Sequence, residues 1–108
     1  MKNILIITDI DGTLMDHKYD LTPALGVISM LKRNGIPLIL CTSKTASEVR
    51  EIRKEIGIYD PFIVENGGAI YGNKKNSKDE WELILGSSFR DLRIILDKLS
   101  KDIGYNLR

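Results

Sequence analysis

Asp9 and Asp11 stand one residue apart at the end of an apolar run, "LIITDIDGTLMD" (residues 5–16), and Gly12 and Thr13 follow them directly. A buried strand has no reason to finish in concentrated negative charge unless the charge has a task. A second apolar run, "IPLILCT" (residues 36–42), ends in Thr42, 33 residues after Asp9, and Ser43 and Lys44 come next. Parallel sheets bind ligands at the carboxyl ends of their strands. If the two runs are neighbouring strands, the carboxylates and hydroxyls converge on one crevice. The helix that follows Lys44 then points its unpaired N–H groups into that crevice, a favourable place for phosphate. Two carboxylates beside a phosphate need an intervening cation. Mg²⁺ suits the donors, because it takes carboxylate and carbonyl oxygens and bridges to phosphate.

Such a site can transfer a phosphoryl group. One carboxylate attacks phosphorus to form an aspartyl phosphate, and the other protonates the leaving oxygen and later deprotonates the hydrolytic water. Thr42, Ser43 and Lys44 hold the phosphoryl oxygens as charge develops. Blander readings exist for each piece: Asp-x-Asp-Gly also makes an acidic turn, and Thr42 or Ser43 alone equally well caps a helix. Other motifs fail. An EF-hand needs an acidic or amide residue and then glycine where Thr13 and Leu14 stand. Gly67 and Gly72 have P-loop spacing, but Asn73 replaces the lysine. Cys41 lacks an arginine six residues on and reads as a small core residue. His17 has no His or Cys neighbour with which to share a metal and reads as a loop residue.

The elements that must position these groups follow from periodicity. Residues 3–8, 36–42 and 61–66 are short Ile-rich runs, as expected of strands covered on both faces. Between them, one helix opens at Thr22 and Pro23, turns Leu25, Ile28 and Leu31 inward and stops at Gly35. A second opens with the capping-box pattern Thr45-Ala46-Ser47-Glu48 and places Ala46, Val49, Ile52 and Ile56 on one face before Gly57. Strand, helix, strand, helix, strand implies parallel pairing through right-handed crossovers, a Rossmann-like α/β half-sheet over residues 1–66. Beyond it, "GGAIYG" and "WELIL" read as a β-hairpin around a solvated "NKKNSK" loop tip. Residues 88–103 then read as an amphipathic helix with Leu92, Ile95, Leu96 and Leu99 inside.

Bulk properties set the outer bounds. One domain at most fits in 108 residues, and a net charge of +1 argues against nucleic acid or acidic membranes as partners. The single cysteine suits a reducing compartment, no apolar stretch is long enough for a membrane span, and residues 1–3 do not begin a signal peptide. A cytoplasmic protein is the expectation.

"DIDGT" after an apolar strand resembles the first motif of the haloacid dehalogenase-like (HAD) hydrolases, and the threonine of "LILCTSK" resembles their second. Within that superfamily, "TPAL", "GIPLILCTSKTASEVREIRKEIGI" and "DPFIVENGGAIY" resemble the mannosyl-3-phosphoglycerate phosphatases, magnesium-dependent enzymes with a type IIB cap. The resemblance covers most of the chain. It implies that Asp9 is the nucleophile and a Mg²⁺ ligand, that Asp11 is the general acid/base and lends Mg²⁺ its backbone carbonyl, and that Thr42 binds the phosphoryl group. Asn66, Gly67 and Gly68 then lie at the rim, and the substrate is a small phosphorylated sugar acid. A related HAD sugar phosphatase, a phosphomannomutase-like enzyme and a non-catalytic HAD fragment are the alternatives.

By the same resemblance, residues 1–85 form the N-terminal part of a HAD-like core and residues 86–108 the first helix of an α/β cap. Most of the cap, a phosphate-binding lysine and a further acidic motif are not in this sequence. Lys98 and Lys101, on the last helix, and Asp79 with Glu80, in a loop, do not replace them. The expectation is the N-terminal part of a longer protein, with an unpaired hydrophobic edge along strand one that leaves the chain marginally stable or self-associating.

Overall fold

The structure, a computed structural model, describes residues 3–75, 77–87 and 89–104, with the side chains of Phe89 and Ile103 left out. The sequence-based expectations for residues 1–2, 76, 88 and 105–108 therefore lie outside the described residues. Three short strands come first, β1 (Ile6–Thr8), β2 (Leu38–Cys41) and β3 (Phe62–Val64). They alternate with α1 (Leu25–Arg33), which a 3-10 turn at Thr22–Ala24 leads into, and α2 (Ala46–Ile56). The hairpin β4 (Ala69–Asn73) and β5 (Glu80–Ile84) and the helix α3 (Phe89–Ile103) complete the chain. Glu80 thus belongs to a strand, not to the loop expected from the sequence.

The five strands form one mixed sheet in the order β1-β2-β3-β4-β5. β1, β2 and β3 pair in parallel, with Thr8 opposite Leu40 and Cys41 opposite Ile63, while β4 and β5 add as antiparallel neighbours. Both parallel steps cross over through a helix, which is why the short apolar runs and the 3.6-residue patterns alternate.

The core gathers Ile28 and Leu31 of α1, Val49, Ile52 and Ile56 of α2, Leu38 and Leu40 of β2, and Phe62 and Val64 of β3. Ala46 packs against this cluster from the first turn of α2, but Leu25 does not join it and is exposed. The 3-10 turn explains the difference, because helical phase begins only at Leu25 and leaves Ile28 and Leu31 to face the sheet. An arginine takes an unexpected core position. Arg53 is buried on α2, its guanidinium stacks 4.4 Å from the Phe62 ring, and it donates to the Asp60 carbonyl and to Asn73 Oδ1. Burial pulls its pKa down, since desolvation penalises the charged form. One turn earlier, Arg50 lies over Tyr71 and makes a two-pronged ion pair with Glu80, so both arginines tie α2 to the hairpin. The hairpin itself closes tightly: Gly72 pairs with Trp81, and a Cβ there would lie 2.3 Å from the indole ring.

Two expectations of burial fail, for one reason. β1 was expected to be covered on both faces, yet Ile7 is 58% exposed and Ile4 and Leu5 are exposed beside it. Leu92, Ile95, Leu96 and Leu99 of α3 are likewise exposed rather than inside. An apolar stripe reports that a face is made for burial, not that its cover lies within these residues. Among the described residues β1 is the edge strand of the sheet, and its outer face is apolar.

Candidate active site

The loop after β1 carries both carboxylates. It turns tightly: the Thr13 and Met15 N–H groups both donate to the Ile10 carbonyl, and Ile10 is fully buried as the anchor. Gly12 sits at φ 73°, a left-handed conformation that explains a glycine directly after Asp11. Asp9 Oδ1 accepts from the Ile10 N–H at 2.7 Å.

The loop after β2 answers it. Thr42 is buried, its N–H donates to Ile63 O, its carbonyl accepts from the Asn66 N–H, and its Oγ1 accepts from the Lys44 N–H at 3.1 Å. With its acceptor role used by the backbone, the hydroxyl hydrogen is left to donate to a ligand oxygen. The Glu65 N–H donates to Lys44 O, so this loop is stitched to the turn after β3 as well. In that turn Glu65 and Asn66 hold φ values of 51° and 57°. Two successive non-glycine residues in the left-handed region are strained, and the hydrogen bonds to Thr42 and Lys44 offset the cost.

Asp9, Cys41, Thr42, Ser43 and Asn66 line one cleft of about 220 Å³. Cys41, read from sequence as a core residue, is half-buried and faces this cleft as a free thiol. Its place at the last position of β2 was the available signal. Asp11 and Lys44 do not line the cleft but pair with each other beside it, Lys44 Nζ lying 3.4 Å from Asp11 Oδ1 and 3.7 Å from Glu48 Oε2. Lys44, expected from the sequence to hold phosphate, has these two carboxylates as its partners.

The capping box forms as expected. Glu48 Oε1 accepts from the Thr45 N–H and hydroxyl, and the Glu48 N–H reaches back to Thr45 Oγ1. The Thr45 hydrogen bonds hold the Glu48 carboxyl below its ordinary value. The α2 N-terminus therefore engages its own carboxylate, and offers a phosphate fewer free N–H groups than the pattern alone implies.

A larger cleft of about 470 Å³ lies between residues 12–17 and α1, lined by Asp16, His17 and Val27 among others. Its one carboxylate is occupied by its own turn, because Asp16 Oδ1 accepts from the Lys18 and Asp20 N–H groups. The lysines of α3 and of the hairpin loop line neither cleft. Among the described residues, no three His, Cys, Asp or Glu side chains are grouped to hold a metal, and no helix is long and apolar enough to cross a membrane.

Comparison with known proteins gives a consistent likeness. Residues 6–99 match the family model described as haloacid dehalogenase-like hydrolase. The chain is 39% identical over 106 residues to a glucosyl-3-phosphoglycerate/mannosyl-3-phosphoglycerate phosphatase of Persephonella marina, covering 89% of this chain and 39% of that protein. It is 37% identical over 118 residues to the protein of the same name from Methanococcoides burtonii, covering 99% of this chain and 43% of that one. The chain thus spans about two-fifths of the length of these curated relatives. Among solved structures, a haloacid dehalogenase-like hydrolase from Bacteroides thetaiotaomicron superposes with a TM-score of 0.70 at 20% identity, over 94% of this chain and 38% of that one, a likeness of fold.

Proposed function

Because this chain belongs to the haloacid dehalogenase-like hydrolases, we propose that it carries the nucleophile-bearing half of a phosphatase acting on mannosyl-3-phosphoglycerate, as its relatives' names suggest. The observation that carries this reading is that Asp9 and Thr42, on different strand ends, line one small cleft. Asp9 is the nucleophile: its carboxylate attacks phosphorus, the bond to the sugar-acid oxygen breaks, and an aspartyl phosphate forms. Asp11 gives a proton to that leaving oxygen and afterwards takes one from the water that hydrolyses the intermediate. Thr42 and Ser43 donate hydroxyl hydrogens to the phosphoryl oxygens, Lys44 adds positive charge, and Asn66 closes the rim.

The loop also suits a magnesium ion. Its donors are hard carboxylate oxygens, and in the structure a cation, the Lys44 ammonium, already sits against Asp11. Asp9 through its carboxylate and Asp11 through its backbone carbonyl would hold the ion, which when bound neutralises phosphoryl charge that two carboxylates otherwise repel. The test is phosphate release from mannosyl-3-phosphoglycerate and from its glucosyl counterpart, with Mg²⁺ and with chelator. Release that chelation stops is the expected result, and a rate indifferent to chelator contradicts the metal's role.

In this reading residues 1–85 are the N-terminal part of the HAD-like core and residues 86–108 the start of a cap, working in a cytoplasmic setting suited to the free Cys41. The partner is a small phosphorylated sugar acid rather than a nucleic acid or membrane, in keeping with the net charge of +1. The edge of β1 takes up a second copy of the chain, since its apolar face and unpaired backbone lack the charges and prolines that protect natural edges. Sedimentation should find a concentration-dependent dimer that Ile7→Lys dissolves. A monomer at every concentration contradicts it.

A further inference from the structure

Lys44 has a backbone pinned on both sides and a side chain with two employers. Its N–H donates to Thr42 Oγ1 and its carbonyl accepts from the Glu65 N–H, so the residue's place beside the phosphate-facing hydroxyls is fixed. The ammonium, on a side chain only 19% exposed, does not extend into the cleft but lies between Asp11 and Glu48. Among the described residues it is the one cation paired with Asp11. Glu48 leans on it less than on Thr45, which engages its carboxylate in the capping box. The contact to Asp11 is long at 3.4 Å, and Asp11 is 42% exposed, so the pair is weak and easily exchanged.

We propose that Lys44 is a counter-charge switch: it neutralises Asp11 while the carboxylate loop is empty of metal, and turns to the phosphoryl oxygens of the substrate once Asp11 is otherwise compensated. The inference rests on the phosphatase reading of the two loops. A lysine suits this task because its charge is compact and rides on a flexible four-carbon stem, so it changes partner without moving the backbone. The exchange also releases Asp11 to handle protons, which an ammonium held against its oxygen obstructs.

Removing the charge must then act with opposite sign on the two ligands. In Lys44→Met, which keeps the apolar stem, Mg²⁺ alone should bind about threefold to tenfold more tightly, because a competing cation is gone. Inorganic phosphate in the presence of Mg²⁺ should bind about tenfold more weakly, because a charge-assisted hydrogen bond is lost. Lys44→Arg should stay near the wild type in both. Calorimetric titration of this chain reads both constants. Mg²⁺ affinity unchanged or weakened in Lys44→Met, or phosphate affinity unchanged, overturns the switch while leaving the phosphatase reading in place. A wild-type chain that binds neither ligand overturns the switch, while the phosphatase reading stands or falls on phosphate release. Should Lys44→Met not fold, the wild type still decides: the Lys44 side-chain NMR resonances must move when Mg²⁺ is added and again when phosphate follows, and resonances that stay still overturn the proposal.

Discussion

Asp9→Asn is expected to abolish phosphate release, by on the order of a thousandfold or more, while leaving the fold intact. An amide oxygen accepts from the Ile10 N–H as the carboxylate does, so the local hydrogen bond at 2.7 Å survives the change. Asp9 is exposed at a strand end and packs against nothing in the core, which keeps the cost in stability within about 0.5 kcal/mol. What is lost is the anionic oxygen that, in the proposed mechanism, attacks phosphorus. The comparison to make is Asp11→Asn. That variant removes the proton donor but keeps the nucleophile, so the first half-reaction is slowed in proportion to how poor the leaving group is, and activated aryl phosphates should be affected less than sugar-acid esters. Steady-state rates on the two substrate types check this. Equal losses in kcat/KM, which reports the phosphorylation half-reaction alone, on both substrate types for Asp11→Asn contradict its role at the leaving oxygen.

Phe62→Ala is expected to cost about 3–5 kcal/mol, much of the 5–15 kcal/mol that holds a typical domain folded. Phe62 is fully buried in the central part of the sheet, it stacks on Tyr71 at 5.5 Å, and the Arg53 guanidinium lies 4.4 Å from its ring centre. Truncation leaves a cavity and strips the packing from a buried charge whose Nε has no hydrogen-bond partner among the described residues. The urea midpoint should fall steeply, and Arg53 should become the weak point of the variant: Arg53→Met in the Phe62→Ala background should recover part of the loss, since no charge then remains to be solvated. A loss of unfolding free energy under about 1 kcal/mol, taken from the midpoint shift and the slope, contradicts this account of the core.

Local signals in the sequence were legible wherever physics acts over a few residues. The capping box at Thr45 and Glu48, the inward face of α2 and the strand-to-loop step at Asp9 all appear where the pattern puts them. So does the antiparallel hairpin, though its second strand starts at Glu80. Burial was less legible, because it depends on what lies opposite. The apolar faces of β1 and α3 look the same in sequence whether or not they are covered, and the structure leaves both exposed. Arg53 escaped notice for the converse reason: a charged residue on a helix reads as solvated, although its spacing of three from Arg50 and the aromatic residues Phe62 and Tyr71 were there to be connected. At the site, the pairing of Lys44 with Asp11 depends on the close approach of two loops, which no single stretch encodes. The left-handed turn at Asn66 did have a signal, an Asn-Gly pair following a strand.

The central claim is that phosphate passes through Asp9, and trapping the intermediate tests it most directly. Protein turning over mannosyl-3-phosphoglycerate with Mg²⁺ is quenched in acid, digested and mapped by mass spectrometry. The account predicts a phosphoryl adduct on the peptide that contains Asp9, labile at neutral pH and lost in Asp9→Asn. Sustained turnover by Asp9→Asn, or an adduct on any other residue, contradicts it.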